Sequence, residues 1–101
     1  MLNQAILVGR LAEEPVLKTL PDGSVKSNIV LDIIRSYRNP DTGDYDSDSI
    51  PITLWEGIAK NTVEHCLKGA TIGVKARIEV TGIDVKLVAE KITFINTKGK
   101  K

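Results

Sequence analysis

The chain has 101 residues, a length that suits one domain with one hydrophobic core. Apolar residues make up 42% and charged residues 27%, as in a folded globular domain, so we do not expect disorder of the whole chain. No apolar run approaches the roughly 18 residues of a membrane span, and the first residues do not have the pattern of a signal peptide. The single Cys66 cannot form an internal disulfide, which indicates a reducing cytoplasm.

The net charge is only +1, but the charges are unevenly distributed. Four aspartates fall between Asp41 and Asp48 with no Lys or Arg among them, and the remaining chain has 14 basic residues against the other 9 of the 13 acidic ones. One loop is therefore acidic and the rest of the domain mildly basic. Charge alone favours a solvated surface without a partner, so a nucleic-acid function needs other support.

Three segments in the first half of the chain alternate with the period of a strand. Residues Asn3 to Leu11 have apolar side chains on both faces, which predicts a strand buried partly on each side. A turn at Pro21-Asp22-Gly23 precedes the clearest alternation, from Val25 to Ile34. After a polar loop, Ile50 to Trp55 forms a third strand, in which Pro51 favours a sheet edge.

The pattern changes after Trp55. Apolar residues recur at helical spacing from Ile58 to Lys68, and Gly69 stands where a helix commonly ends. Alternation then returns from Ile72 to Val80 and, after a turn at Thr81-Gly82, from Ile83 to Ile95. In the last segment the apolar parity slips, which predicts a bulge near Glu90-Lys91.

Five strands with one short helix between the third and fourth is the element order of the OB-fold, a five-stranded Greek-key barrel. We therefore predict an all-β OB-fold domain over residues 1–96. Residues 97–101 contain Lys98, Lys100 and Lys101, and we predict a basic, disordered tail there.

Several stretches resemble the bacterial and phage single-stranded DNA-binding protein family. Asn3 to Leu11 is similar to that family's first strand, Glu14-Pro15 to its acidic–proline pair, and Ile50 to Trp55 to its third strand. Further similarities, in the family's order and spacing, are Gly23, Val25, Leu31, Ala59, Leu67-Lys68-Gly69, Val74 and Arg77-Ile78. The resemblance implies a homotetramer that binds single-stranded DNA in replication, recombination or repair, in the cytoplasm and on the nucleoid.

The chain also departs from the family pattern. The usual long hairpin between the last two strands shrinks to a turn at Thr81-Gly82, Ser49 stands where an aromatic is usual, and Ala76 replaces a usual glycine. The sequence ends in lysines rather than in an acidic tail, so we do not expect replication proteins to be recruited through such a tail. The shorter hairpin could weaken the tetramer contact, which leaves a dimer open.

Two aromatic residues are candidates for stacking on bases, which is the sequence-tolerant way to bind a single strand. Trp55 lies on the strand face opposite Ile52 and Leu54, and the family carries a stacking aromatic there; the alternative is that Trp55 packs under the helix. Tyr37 lies just past its strand between Arg35 and Arg38, and an ordinary loop tyrosine is an equal alternative. Tyr45 lies in the acidic loop and is left out, and Phe94 is assigned to the core.

Eight basic residues are candidates for phosphate contact, and about half of them should line the groove. Lys18 and Lys68 match family positions that contact the DNA backbone, Lys26 lies opposite the apolar face of its strand, and Lys75 and Arg77 share a face. A solvated surface charge is the alternative for each. The full set is Arg10, Lys18, Lys26, Arg35, Arg38, Lys68, Lys75 and Arg77.

Nothing in the sequence indicates catalysis or a bound metal or cofactor. His65 and Cys66 are adjacent in the helix and so point about 100° apart, and they are too few for a zinc site of the usual kind. The aspartate cluster lacks the glycine and the terminal glutamate of a calcium loop. We therefore expect a binding protein with no cofactor and no metal.

Two further interpretations concern partners. The chain could instead be an OB-fold assembly factor of the primosome type, with protein binding as its main task and weak DNA binding. Ile6 and Val8 are apolar on the strand face opposite Leu7, which predicts a subunit contact in a symmetric oligomer, at least a dimer and rather a tetramer.

Overall fold

A computed structural model describes residues 1–97, which form six strands and one helix. The five long strands and the helix follow the predicted order, and a two-residue strand is added between the first two. The elements are β1 (Ala5–Leu11), β2 (Lys18–Thr19), β3 (Val25–Arg38), β4 (Tyr45–Trp55), α1 (Glu56–His65), β5 (Thr71–Thr81) and β6 (Asp84–Asn96).

The sheet closes into a barrel because β1 pairs on both sides. The strand order is β1-β5-β6-β4-β3-β2, and β1 also pairs with β3 through Arg10 and Leu11. The two-residue β2 adds to the start of β3, on the side away from β4, so the barrel itself has five strands and the OB-fold prediction is confirmed. Residues 81–84 form a two-residue hairpin turn with Gly82 at a positive φ of 64°, so the predicted short turn is present.

The core lies between the inward faces of the strands and α1. Alternate residues of β3 and β4 point inward, and the core centres on Leu11, Ile29, Leu31, Ile52, Leu54, Ile72 and Val74. Gly9 lies where β1 crosses β3, and a Cβ built there would stand 2.4 Å from the carbonyl oxygen of Asp32. Glycine at this position therefore permits the close approach that shuts the barrel.

At the β3–β4 hairpin, both strands are longer than the sequence predicted. Both strands continue past the barrel, so that β3 runs to Arg38 and β4 begins at Tyr45, inside the segment taken as an acidic loop. The extension is mostly polar, and its half-buried positions on β4 are Asp46 and Asp48, so it carries no apolar alternation from which a strand could be predicted. Tyr37 consequently lies within β3 rather than past its end.

The helix was predicted three residues too late at its end and two too late at its start. It covers Glu56–His65, and Cys66 already has an extended backbone. Gly69 has a positive φ of 86°, but it lies in the turn that leads to β5, where its N–H donates to the carbonyl of Leu11. Cys66 is buried in the segment after the helix and Leu67 is 53% exposed, so the helical spacing of these apolar residues does not reflect one buried helix face.

The predicted bulge in β6 is confirmed. Lys75 pairs with Lys91 whereas the next residue, Ala76, pairs with Ala89, so Glu90 is the extra residue of the bulged strand. Beyond β6, the backbone N–H of Leu67 donates to the carbonyl of Thr97. The rest of the predicted tail, residues 98–101, lies outside the described residues.

Candidate nucleic-acid interface

One face of the β3–β4 ribbon points away from the core along the whole length of the two strands. We call it the outer ribbon face. Its members alternate with the core residues in each strand and pair across the ribbon, as same-face neighbours do. They are Lys26, Asn28, Val30, Asp32, Ile34 and Arg38 of β3, and Tyr45, Ser47, Ser49, Pro51, Thr53 and Trp55 of β4.

Trp55 lies at one end of the outer ribbon face, in a row with two lysines. Lys26 is the direct cross-strand partner of both Lys18 and Trp55, so the three side chains share a face. The Lys26 Nζ lies 5.6 Å from the centroid of the Trp55 ring. Trp55 remains 37% exposed, so the structure places it outward, as its strand parity predicted, and not under the helix.

The junction between Trp55 and α1 is anchored by Glu56. This residue has a positive φ of 47°, which is rare for a side chain with a Cβ, and it turns the chain sharply out of β4. The Glu56 carboxylate accepts a hydrogen bond of 2.8 Å from the backbone N–H of Val25. This bond ties the end of β4 to the start of β3, next to Lys26, and so holds Trp55 beside the lysine pair.

A second cation–aromatic pair lies at the other end of the outer ribbon face. Arg38 is the cross-strand partner of Tyr45, and its guanidinium carbon lies 5.5 Å from the centroid of the Tyr45 ring. Between this pair and the Ile34–Ser47 pair, β3 has three residues against one in β4, so a bulge separates the tip from the barrel. Tyr45 is 53% exposed.

Arg35 lies away from the outer ribbon face. Its guanidinium donates to both carboxylate oxygens of Asp48, at 3.0 and 2.9 Å, and Asp48 pairs with Ile33 on the inward side of the ribbon. The guanidinium holds the pKa of the Asp48 carboxyl below its usual range, and Asp48 in turn raises the pKa of Arg35. Tyr37 is 63% exposed in the bulge near Arg35.

The other basic candidates are spread over the barrel. Arg10 lies on the outer ribbon face's border, opposite Asp32, whose carboxylate accepts a 2.7 Å hydrogen bond from Ser49. Arg77 is the cross-strand partner of Val88, which in turn is the partner of Thr53 in β4. The Arg77 guanidinium forms ion pairs with Glu79 at 2.7 Å and with Glu90 at 3.8 Å.

Lys75 and Lys68 lie apart from the Trp55 row. Lys75 lines a surface depression with Ile6, Val8 and Ile95 on the side of the barrel formed by β1, β5 and β6. Lys68 follows α1, at the opposite end of the helix from Trp55, and its backbone N–H donates to Glu14. A helix of this length is about 15 Å long, which separates Lys68 from the Trp55 row.

The sequence did not single out two residues that lie beside Trp55's row. Asn28 and Lys86 line one pocket with Thr53, where the β5–β6 hairpin meets the outer ribbon face. Their position depends on which strands become neighbours, for which the sequence has no signal. Tyr45 was set aside for its acidic neighbours, although the alternation of β4 puts Asp46 and Asp48 on the other face.

The residues considered for catalysis do not form a reactive site. Cys66 is buried in the core, as predicted, and burial raises the pKa of its thiol, which is the opposite of what an activated nucleophile needs. His65 Nδ1 lies 2.9 Å from the carbonyl oxygen of Asn61. Within residues 1–97, no three His, Cys, Asp or Glu side chains come together as a possible metal site. No helix in the same range is long and apolar enough to cross a membrane.

Comparison with known proteins assigns the family. The model of the single-strand binding protein family matches residues 2–95. The chain belongs to this family. Its relatives in the single-strand binding family include "Single-stranded DNA-binding protein B" of Bacillus subtilis (strain 168), 33% identical over 97% of this chain and 94% of that protein. "Single-stranded DNA-binding protein" of Oceanobacillus iheyensis is 31% identical over 98% of this chain and 66% of that protein.

A solved structure has the same fold as this chain. The wild-type single-stranded DNA binding protein from Thermus aquaticus superposes with a TM-score of 0.78 over 96% of this chain, at 22% sequence identity. The chain spans about half, 52%, of that protein's length. This similarity supports the OB-fold.

Proposed function

We propose that this protein binds single-stranded DNA without strong sequence preference, in replication, recombination or repair, and performs no chemistry on it. The observation that carries the proposal is the row Lys18–Lys26–Trp55 on the surface of an OB-fold barrel, in which Lys26 lies over the exposed indole and Lys18 is next to Lys26. An aromatic ring can stack on any base, and lysines beside the ring can neutralise the phosphates next to the stacked base. The names of the relatives favour this function over that of a protein-assembly factor.

The proposed contacts fall into three groups. The first group has no carboxylate partner in the hydrogen bonds and ion pairs described for residues 1–97, and it consists of Trp55, Lys18, Lys26, Arg38, Tyr37 and Arg10. Arg35 and Arg77 would have to exchange a carboxylate for a phosphate, so we assign them weaker contributions. Lys68 and Lys75 lie farther away and would contact only a strand that continues around the barrel.

The test is a titration with oligo-dT that monitors tryptophan emission. Trp55 is the only tryptophan, and a base stacked on it should quench its emission, whereas duplex DNA of the same length should not. Paired bases keep their faces stacked on each other and offer none to a side chain. Trp55→Ala should lower the affinity for oligo-dT roughly 5- to 150-fold, which corresponds to about 1–3 kcal/mol per stacked base.

The Trp55→Phe variant is the matched control, since it keeps an aromatic ring and should retain most of the affinity. Thermal unfolding of Trp55→Ala must remain close to that of the original chain, because Trp55 lies on the outward face. A folded Trp55→Ala variant that binds oligo-dT normally would place the DNA elsewhere and refute the assignment.

We further propose that the protein acts in the cytoplasm, on the nucleoid, as a homo-oligomer, at least a dimer, with the tetramer that the family resemblance implies. Ile6 and Val8 are 62% and 55% exposed and, with Ile95, form an apolar patch beside Gly73 and Thr93. Residues Ala5 to Gly9 pair with β5 on one side only, which leaves a strand edge open within residues 1–97. An apolar patch next to an open edge is a surface that a second copy can cover.

A further inference from the structure

We infer that Tyr45, held by Arg38, is a second base-stacking site, so that a single strand bound at Trp55 runs along the outer ribbon face to the hairpin tip. The inference rests on the proposed function and adds a residue to it. Tyr45 has the same arrangement as Trp55: an exposed ring at one end of the outer ribbon face, with a cation from β3 directly across the ribbon and over the ring.

The geometry of β4 puts the two rings on one face. Tyr45 and Trp55 are ten positions apart, an even number, and the extra residues of the bulge belong to β3, so the alternation of β4 is uninterrupted. At the rise of a strand the two positions are about 33 Å apart along the ribbon. That distance suits a strand of several nucleotides, within the roughly 4–16 that one OB-fold covers.

Two acidic neighbours of Tyr45, Asp46 and Asp48, do not block this site. Asp48 is occupied by Arg35 on the inward side of the ribbon, and Asp46 accepts a 3.0 Å hydrogen bond from the side-chain amide of Asn39. Both aspartates alternate with Tyr45 and so lie on the other face of β4. The charge next to the ring is the guanidinium of Arg38, which attracts phosphate and, by its contact with the ring, restricts the ring's orientation.

Between the two rings, the β4 side of the outer ribbon face offers small or short side chains, whereas the β3 side carries Val30 and the 69% exposed Ile34. Ser47, Ser49, Pro51 and Thr53 present no large group that would lift a strand off the ribbon. Asp32 is the one carboxylate on this part of the face, and it is engaged by Ser49. A strand can therefore follow the β4 side of the face between its two stacking ends, beside Ile34.

The experiment moves the fluorescent reporter to the hairpin tip. In a Trp55→Phe background, Tyr45→Trp places the only indole at position 45, and oligo-dT of about 16 nucleotides should quench it. Oligo-dT of about 4 nucleotides, too short to reach both ends, should compete poorly for this quenching. In the original chain, Tyr45→Ala should lower the affinity for the longer oligomer roughly 5- to 150-fold, whereas Tyr45→Phe, which keeps the ring, should not.

The outcomes separate this inference from the function on which it rests. If the original chain binds the longer oligomer with quenching of Trp55 and Tyr45→Ala binds it equally well, the second site is refuted and the proposed function stands. If the original chain shows no quenching with any oligo-dT, both fail. Circular dichroism of Tyr45→Ala should match that of Tyr45→Phe, because the exposed ring contributes little to the core.

Discussion

Gly9 shows how a single residue closes the barrel. Its neighbour across the β1–β3 contact is backbone rather than a flexible side chain, so there is no group that could turn aside to admit a methyl. A Cβ at this position would also stand 2.9 Å from Ile33 and 3.0 Å from Leu31, two residues of the opposing strand. The two strands would have to separate where the barrel closes.

Gly9→Ala should therefore destabilise the protein by about 1–3 kcal/mol, the usual cost of overpacking, measured by urea unfolding at constant pH. Gly57→Ala is the matched control, since nothing lies within 4 Å of the added Cβ and the site is in α1. It should be neutral or slightly stabilising because alanine favours helix. Equal effects of the two substitutions would contradict the crossing geometry.

At the scale of elements, the β3–β4 hairpin depends on polar contacts rather than on a core. The Arg35–Asp48 pair is the bidentate contact nearest the point where the ribbon leaves the barrel. Both side chains are exposed to solvent, so the pair orders the ribbon locally and contributes little to global stability. It also keeps Arg35 and Asp48 away from the face on which we place the DNA.

The pH dependence of this contact follows from the lowered pKa of Asp48. A depressed pKa means that the ion pair supports the folded hairpin above the ordinary pKa of 3.8, and that this support is lost as the pH falls through the pKa of the folded state. Carboxyl-carbon NMR titration should show Asp48 titrating below 3.8, and Arg35→Ala should raise its pKa towards that value.

Asp22 is the internal control for this titration. Its pKa is also lowered, by hydrogen bonds from the Ser24 hydroxyl and backbone N–H, and it has no contact with Arg35 in the described hydrogen bonds and ion pairs. Arg35→Ala should leave the titration of Asp22 unchanged. An Asp48 that titrates alike in both proteins would show that the ion pair does not form in solution.

At the scale of the whole molecule, binding through phosphates should weaken with salt. The affinity for oligo-dT should fall on a log–log plot with a slope of about −0.7 for each phosphate neutralised. Lys18→Ala should flatten this slope by about one such increment and weaken binding to all sequences alike. Lys60, exposed on α1, is the control, and Lys60→Ala should leave the slope unchanged. A salt-independent affinity would exclude the basic residues as the binding surface.

Assembly is the second property of the whole molecule that can be tested. Light scattering should show at least a dimer at tens of micromolar protein. Replacement of Ile6 and Val8 by Glu should produce a monomer, because the charges would be buried in the apolar patch. Val16→Glu, which changes an exposed apolar residue of the β1–β2 loop, should leave the oligomer intact. A monomeric original chain would refute the proposed assembly.

The residues that the sequence placed correctly are those whose position follows from local alternation. The alternation of apolar residues predicted the core strands and the outward orientation of Trp55. The shift in this alternation within β6 predicted the bulge at Glu90. The predicted end of the helix was wrong because Cys66 and Leu67 continue the helical spacing after the helix has ended. The predicted ends of the strands at the β3–β4 hairpin were wrong because the paired residues there are polar and show no apolar alternation.

The sequence by itself determined the element order, the inward and outward faces of the strands and the family to which the chain belongs, since each of these is written in short-range spacing. Only the tertiary structure decided which charges stand beside which rings. Strand register brought Lys18 and Lys26 to Trp55, and Arg38 to Tyr45, while it paired Arg35 with Asp48 on the other side of the ribbon. Register follows from the face that each strand buries and from the length of the hairpin, and the polar β3–β4 tip has no apolar pattern to show where its bulge shifts the pairing.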